Sequence, residues 1–179
     1  MYGIDFVKHQ NYLKGWFGKR RPLNATEITG LCFNIKKTVI KIVLEIGFSQ
    51  VAHSKDLRKY FQRGAELCHK HVEIFTTILS EDNLPSPKQW ESEISNSTVS
   101  PFSEKLMLYH LVTLVSASLG FYGAGLSVVQ RRDLATHYGR LITEMGKYAE
   151  DGVNLLIKYG WLEQPPTADD RNALASKKK

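Results

Sequence analysis

The side chains with the most chemical potential in this chain lie on one helix-like stretch, Glu66-Leu67-Cys68-His69-Lys70-His71. Glu66 and His69 have the Glu-x-x-His spacing that places two metal ligands on one helical face. In a helical bundle, a carboxylate-bridged di-iron site needs two such pairs on two helices and one inward Glu on each of the other two. The rest of that set is missing. Glu144 is followed three residues later by Lys147, a cation where a ligand is required. The first predicted helix has no carboxylate between Glu27 and Glu45, and the third has none after Glu104. At 100° per residue, Glu66 also points about 160° away from Cys68, whose neighbours form the apolar stripe, so Glu66 is expected in solvent.

His71 falls on that apolar stripe, between Cys68 and Phe75. Its expected state is a neutral, buried imidazole bonded to a tyrosine hydroxyl or a backbone carbonyl. A metal-binding alternative, for iron or zinc, would use His71, Glu66 or His69, with His110 as the obvious partner on another helix. Counted from the helix ends, however, His110 lies several residues out of level with His71, or ~7 Å or more at ~1.5 Å per residue. Cys32 and Cys68 are similarly offset, which argues against a disulfide and for two small core residues. No Ser-His-Asp set, phosphate loop or zinc spacing occurs. The reading is therefore of no catalytic residues and no cofactor.

Lys and Arg number 24 against 18 Asp and Glu, a net charge of +6. Three of the cations form the terminal Lys177-Lys178-Lys179 run, and no nucleic-acid-binding motif accompanies the others. The expected consequences are solubility and no nucleic-acid partner. The N-terminus lacks an apolar signal core, so a reducing cytoplasm is the expected compartment.

All six prolines lie at positions 22, 85, 87, 101, 165 and 166. The long proline-free stretches between them carry apolar residues at the helical period. The pattern predicts four helices, at 26–50, 55–82, 104–131 and 133–159. Asn24 with Glu27 reads as a capping box, and Ser54, Ser103 and Asp133 read as N-caps of the later helices. Gly160 reads as the residue after the last helix. The 83–103 link, extended, reaches ~65 Å against a helix length of ~40 Å, so it can cross the whole bundle. Its Trp90, Ile94, Val99 and Phe102 are expected to pack on the helices.

The third predicted helix stands apart: from Leu106 to Val129 it has no charged residue. Its length would span a bilayer, but His110, Thr113 and several serines interrupt it and its partner helices are amphipathic, so a membrane partner is not expected. Such a helix is either the most buried one or one that also faces a second subunit. Ser116, Gly120 and Ala124 recur every four residues and are the candidate dimer-interface positions, with Leu108, Phe121 and Val128 as apolar side chains needing cover. Gly120, Gly123 and Gly125 offer a third possibility, space for a small ligand between helices.

Arg21-Pro22-Leu23-Asn24-Ala25, Gly47-Phe48-Ser49-Gln50-Val51-Ala52, Lys70-His71-Val72-Glu73-Ile74-Phe75, Leu84-Pro85-Ser86-Pro87 and Gly160-Trp161-Leu162-Glu163-Gln164-Pro165-Pro166 together resemble a family of spore-forming bacilli. That family has no established activity, is grouped with ferritin-like proteins and is related to spore coat F proteins. The resemblance covers nearly the whole chain. It implies an all-α, ferritin-like four-helix bundle with a long connection between helices two and three. It also implies a tandem-repeat family in which this chain resembles the second unit. Residues 1–21 are then an N-terminal connector helix, 22–163 the bundle and 164–179 a tail. The resulting expectation is a non-catalytic structural or assembly module, possible spore association included, whose partner is itself or a second copy of the same unit.

Overall fold

A computed structural model describes Phe6 and residues 20–176. The predicted 1–21 connector helix therefore falls, except for Phe6, Arg20 and Arg21, outside the described residues. Four long helices make up the bundle: α1 (Ala25–Val51), α2 (Lys55–Glu81), α3 (Glu104–Val128) and α4 (Arg132–Lys158). A single 3-10 turn at Glu91–Glu93 lies in the α2–α3 link, and a short exposed helix α5 (Arg171–Ser176) lies in the 164–179 tail. No strand occurs among the described residues.

Local chemistry sets the helix ends. The Asn24 side chain accepts from the Glu27 N–H while the Glu27 carboxylate accepts from the Asn24 N–H, a complete capping box. Ser54 and Ser103 cap α2 and α3 by accepting from Leu57 and Leu106. Asp133 does not cap α4. Arg131 is the N-cap, without a side-chain bond, because the Asp133 carboxylate is held by the Arg131 guanidinium at 3.1 and 2.6 Å. α3 stops at Val128, three residues short of the predicted end. Gly160 ends α4 at φ 65°, with Trp161 N–H bonded back to Leu156 O. Asn83 does the same for α2 at φ 56°, with Leu84 N–H on Leu79 O.

Hydrogen bonds across the helix ends fix the topology. At one end, Leu23 N–H donates to Asp82 after α2, and Gln130 and Arg131 N–H groups between α3 and α4 donate to Glu27. At the other end, Ser54 N–H donates to Glu104 at the start of α3, and the Ser54 hydroxyl pairs with that of Tyr159 after α4. The 83–103 link therefore traverses the bundle from end to end, and α2 and α3 run parallel. α1 packs on α2 and α3, and α4 packs on α3 and α2. The link touches the bundle only in part. The Gln50 amide donates to the Ser95 and Ser97 carbonyls, and Phe102 meets Phe48 edge-on at 6.3 Å. Val99, expected to pack, is 78 % exposed, and Trp90 is 48 % exposed.

The inward stripes bury Leu31, Ile35, Ile42, Phe61, Phe75, Leu79, Leu111 and Leu141 completely. Between α2 and α4 the rings of Tyr60 and Tyr148 stack at 4.4 Å. Each hydroxyl donates to the other residue's backbone carbonyl. One turn on from each tyrosine stands a glycine, Gly64 and Gly152. A Cβ at position 64 would strike the Tyr148 hydroxyl, and one at 152 would strike that of Tyr60.

Candidate functional site: a polar core and an uncharged outer face

α1 brings four polar side chains inward, Asn34, Thr38, Lys41 and Glu45, each no more than 2 % exposed. Their spacing of four, three and four residues puts them on one helical face beside the apolar stripe. Sequence reasoning passed over this set; that periodic spacing was the available signal. The Asn34 amide donates to Gly30 O and, at 3.3 Å, to the Tyr138 hydroxyl. The Thr38 hydroxyl meets that of Tyr122 at 3.3 Å. The Lys41 amine lies 3.3 Å from both Ser118 Oγ and Met145 Sδ. The Glu45 carboxyl is fully buried, with the Cys68 thiol and the Tyr148 hydroxyl as its polar neighbours. Burial raises its pKa to about 7, against the opposing pull of Lys41.

His71 is fully buried, as expected, and bonds a tyrosine hydroxyl: Nδ1 lies 3.1 Å from Tyr122 Oη. Its Nε2 lies 3.2 Å from Glu144 Oε2, and the Lys70 amine also holds that carboxylate, at 2.9 and 3.0 Å. Burial would raise the pKa of Glu144, but the Lys70 and His71 bonds outweigh it and the net shift is downward. An ionised Glu144 only accepts, so Nε2 carries the imidazole hydrogen, Nδ1 accepts from Tyr122, and Tyr122 in turn accepts from Thr38. Burial pushes the His71 pKa down to about 4 despite Glu144, which leaves the ring neutral at neutral pH.

The other candidate ligands do not join this group. Glu66 is exposed. His69 is 45 % exposed with Nδ1 3.6 Å from Glu91 in the long link. His110 is exposed and sits edge-on to Phe48 at 6.2 Å. Among the described residues, no three His, Cys, Asp or Glu side chains are placed to hold a metal ion. Cys32 and Cys68 are both free thiols, and burial pushes the Cys68 thiol well above its usual range.

α3 is not the most buried helix. Seven of its 25 residues are buried, against eleven of 27 in α2, and only 28 % of its most apolar stretch is covered. Ser116, Gly120 and Ala124 lie on the exposed face, and nothing comes within 4 Å of a Cβ built at Gly120. Leu106 and Val128 are 52 % and 47 % exposed. Leu108, expected outside, is fully buried, since it stands one turn from Leu111 on the core face. Of the three glycines considered for a ligand space, Gly120 and Gly123 face open space and Gly125 is filled by the Tyr138 ring. The adjoining face of α1 contributes Phe33, 42 % exposed and edge-on to Phe121 at 5.1 Å, and Ile40, 40 % exposed.

Residues 11–174 match the family model described as "Protein of unknown function (DUF3231)". The chain belongs to the DUF3231 family. No curated protein matches this DUF3231 chain. Among solved structures, it is similar to a Bacillus halodurans C-125 protein described as a "putative spore coat protein". The two are 15 % identical with a TM-score of 0.73, and the likeness covers 84 % of this chain and 98 % of that one. At that identity the likeness shows a shared fold.

Proposed function

We propose that this DUF3231 protein is a non-catalytic assembly module, a ferritin-like bundle that packs against another copy of the same unit through α3. One observation carries the reading: a 25-residue helix without charge beyond its first turn leaves most of its apolar length uncovered, where a bundle helix ordinarily keeps a polar outer face. The exposed Ser116, Gly120 and Ala124 would allow a second backbone to approach closely, and a two-fold pair is the simplest closed arrangement. The polar core supports the absence of catalysis in this reading. Its histidine is engaged with Tyr122, Tyr138 with Asn34, and its lysine with Ser118 and Met145, each across helices. The spore coat description belongs to the Bacillus halodurans protein; a spore-associated structural role for this chain, made in the cytoplasm, is proposed by analogy of fold.

Sedimentation equilibrium tests the proposal. The wild-type chain is expected to be dimeric at micromolar concentration, and Gly120→Arg to be monomeric with unchanged helicity. A wild-type monomer under those conditions would remove the proposed function.

A further inference from the structure

One side chain from each long helix joins a single hydrogen-bonded line: Thr38 on α1, Tyr122 on α3, His71 on α2 and Glu144 on α4. The line has one direction. Burial pushes the Tyr122 phenol well above its usual range, so the hydroxyl keeps its hydrogen at neutral pH. That hydrogen is donated to Nδ1 of His71, which accepts because Nε2 carries the ring hydrogen towards Glu144. Thr38, Tyr122 and His71 are each no more than 2 % exposed, and Glu144, at 24 %, is the end that reaches water.

This arrangement sets Tyr122 apart from the other described tyrosines. The hydroxyls of Tyr60, Tyr109 and Tyr148 donate to backbone carbonyls, that of Tyr138 accepts from Asn34, and that of Tyr159 pairs with Ser54. None of those partners takes up a proton near neutral pH. Tyr148 also neighbours Glu45, but the Glu45 pKa of about 7 means that this carboxyl already holds a proton in mildly acid solution. A buried phenol gives up an electron readily only if its proton has somewhere to go, since the cation left otherwise is a buried charge without a partner. Tyr122 has a base in contact, and that base has a carboxylate behind it.

We infer that Tyr122 is a reversible one-electron oxidation site, a radical trap in which His71 and Glu144 take up the phenol proton. The oxidant is an outer-sphere one-electron acceptor stronger than a phenoxyl radical, such as an oxidising radical or a metal complex, and it gains the electron. The Tyr122 O–H bond breaks as an H–Nδ1 bond forms. The His71 Nε2–H bond breaks as an O–H bond forms on Glu144 Oε2. Tyr122 becomes a neutral phenoxyl, His71 stays neutral in its other tautomer and Glu144 becomes uncharged. No charge is left in the core, so the burial that keeps His71 from holding a second proton does not oppose the step. Thr38 still donates to the phenoxyl oxygen, as a positioning residue. Close packing around the ring, with Phe75 at 5.6 Å and Tyr138 at 6.2 Å, keeps solutes from quenching it. The inference does not rest on self-association, since all four residues belong to one chain.

The test is flash oxidation of the full chain by photogenerated tris(bipyridine)ruthenium(III) at about pH 6, where Glu45 mostly carries its proton and Glu144 is ionised. Transient absorption gives the rate of tyrosyl formation, and electron paramagnetic resonance identifies the radical. Wild type is expected to give a tyrosyl radical that outlives that of N-acetyltyrosinamide under the same conditions, and to form it more slowly in deuterium oxide. Tyr122→Phe should lose the long-lived radical. His71→Leu should slow its formation by about a hundredfold or more, the scale of one positioned base. Glu144→Gln should slow it too, because the amide still accepts from Nε2 but cannot take its proton. Each variant is checked for helicity. A wild-type radical confined to tryptophan, or a tyrosyl no longer-lived than that of the free amide, would overturn the site, and neither result needs a variant to fold. A long-lived tyrosyl signal that survives Tyr122→Phe would do the same. An unchanged rate in His71→Leu, in Glu144→Gln or in deuterium oxide would overturn the proton relay.

Discussion

Burial acts in opposite directions on two ionisable side chains at the centre of the bundle, Glu45 and His71. It raises the Glu45 pKa from 4.5 to about 7 and lowers that of His71 from 6.5 to about 4. For Glu45 the folded chain holds its proton more tightly than the unfolded chain does. Its contribution is therefore fully present below pH 4.5 and is lost as pH rises through about 7. For His71 the folded chain holds the proton less tightly, so its contribution is present above pH 6.5 and is lost as pH falls towards 4. Between those limits the two slopes oppose one another. Glu45→Gln keeps the neutral form and removes the first slope only. Relative to wild type, it should gain ~2 kcal/mol or more between pH 5 and pH 8, read as a Tm advantage that grows with pH. A melting difference that is the same at both pH values would mean that Glu45 does not titrate between them. His71→Leu should retain the fold and cost ~1–2 kcal/mol in urea unfolding, since Tyr122 loses its acceptor but keeps Thr38 beside it.

At the scale of elements, the glycines separate into two classes with opposite expected effects. Gly64 and Gly152 let Tyr148 and Tyr60 lie against the neighbouring backbone. Alanine at either position should destabilise by about 1–3 kcal/mol through forced displacement of the ring pair. At Gly139 and Gly146 on α4, an added Cβ would meet nothing within 4 Å. Alanine there should stabilise by ~0.5–1 kcal/mol through helix propensity. Urea midpoints of the four variants check both signs. Helix positions and three of the predicted caps were legible because they follow from local spacing: Asn24 with Glu27, Ser54 and Ser103, with Gly160 past α4 as the matching stop signal. The cap of α4 was not, because Asp133 is claimed by Arg131, a pairing that depends on how the α3–α4 turn folds. The inward placement of His71 followed from its apolar neighbours. Lys41 and Glu45 escaped notice because charged residues ordinarily face water; only their register with Asn34 and Thr38 marks them. Tyr60 and Gly64, and Tyr148 and Gly152, share one spacing on two helices, but their meeting depends on the antiparallel docking of α2 and α4.

At the scale of the whole molecule, charge is distributed unevenly over the bundle. The α2–α4 side carries ion pairs, Arg63 with Asp151, Lys70 with Glu144 and Lys158 with Asp56. The α3 sequence has no charged residue beyond its first turn. Association through these two sides would respond differently to salt. Exposed charges separated by more than about 10 Å are screened at ~0.1 M salt, so a contact through the ion-paired side should weaken as ionic strength rises. A contact through α3 has little charge to screen, and its driving force is removal of apolar surface from water. The dissociation constant of the proposed dimer should therefore change by less than about threefold between ~0.05 and ~0.5 M sodium chloride. It should fall in ammonium sulfate, which is excluded from protein surface and strengthens apolar burial. Lys36 and Lys37, exposed on the neighbouring face of α1, would add mutual repulsion at low salt if they approach their counterparts, which shifts the same measurement towards tighter association as salt rises. Sedimentation equilibrium over that salt series distinguishes the two sides. Steep weakening with sodium chloride would place the contact on the α2–α4 side and leave the uncovered length of α3 without a partner.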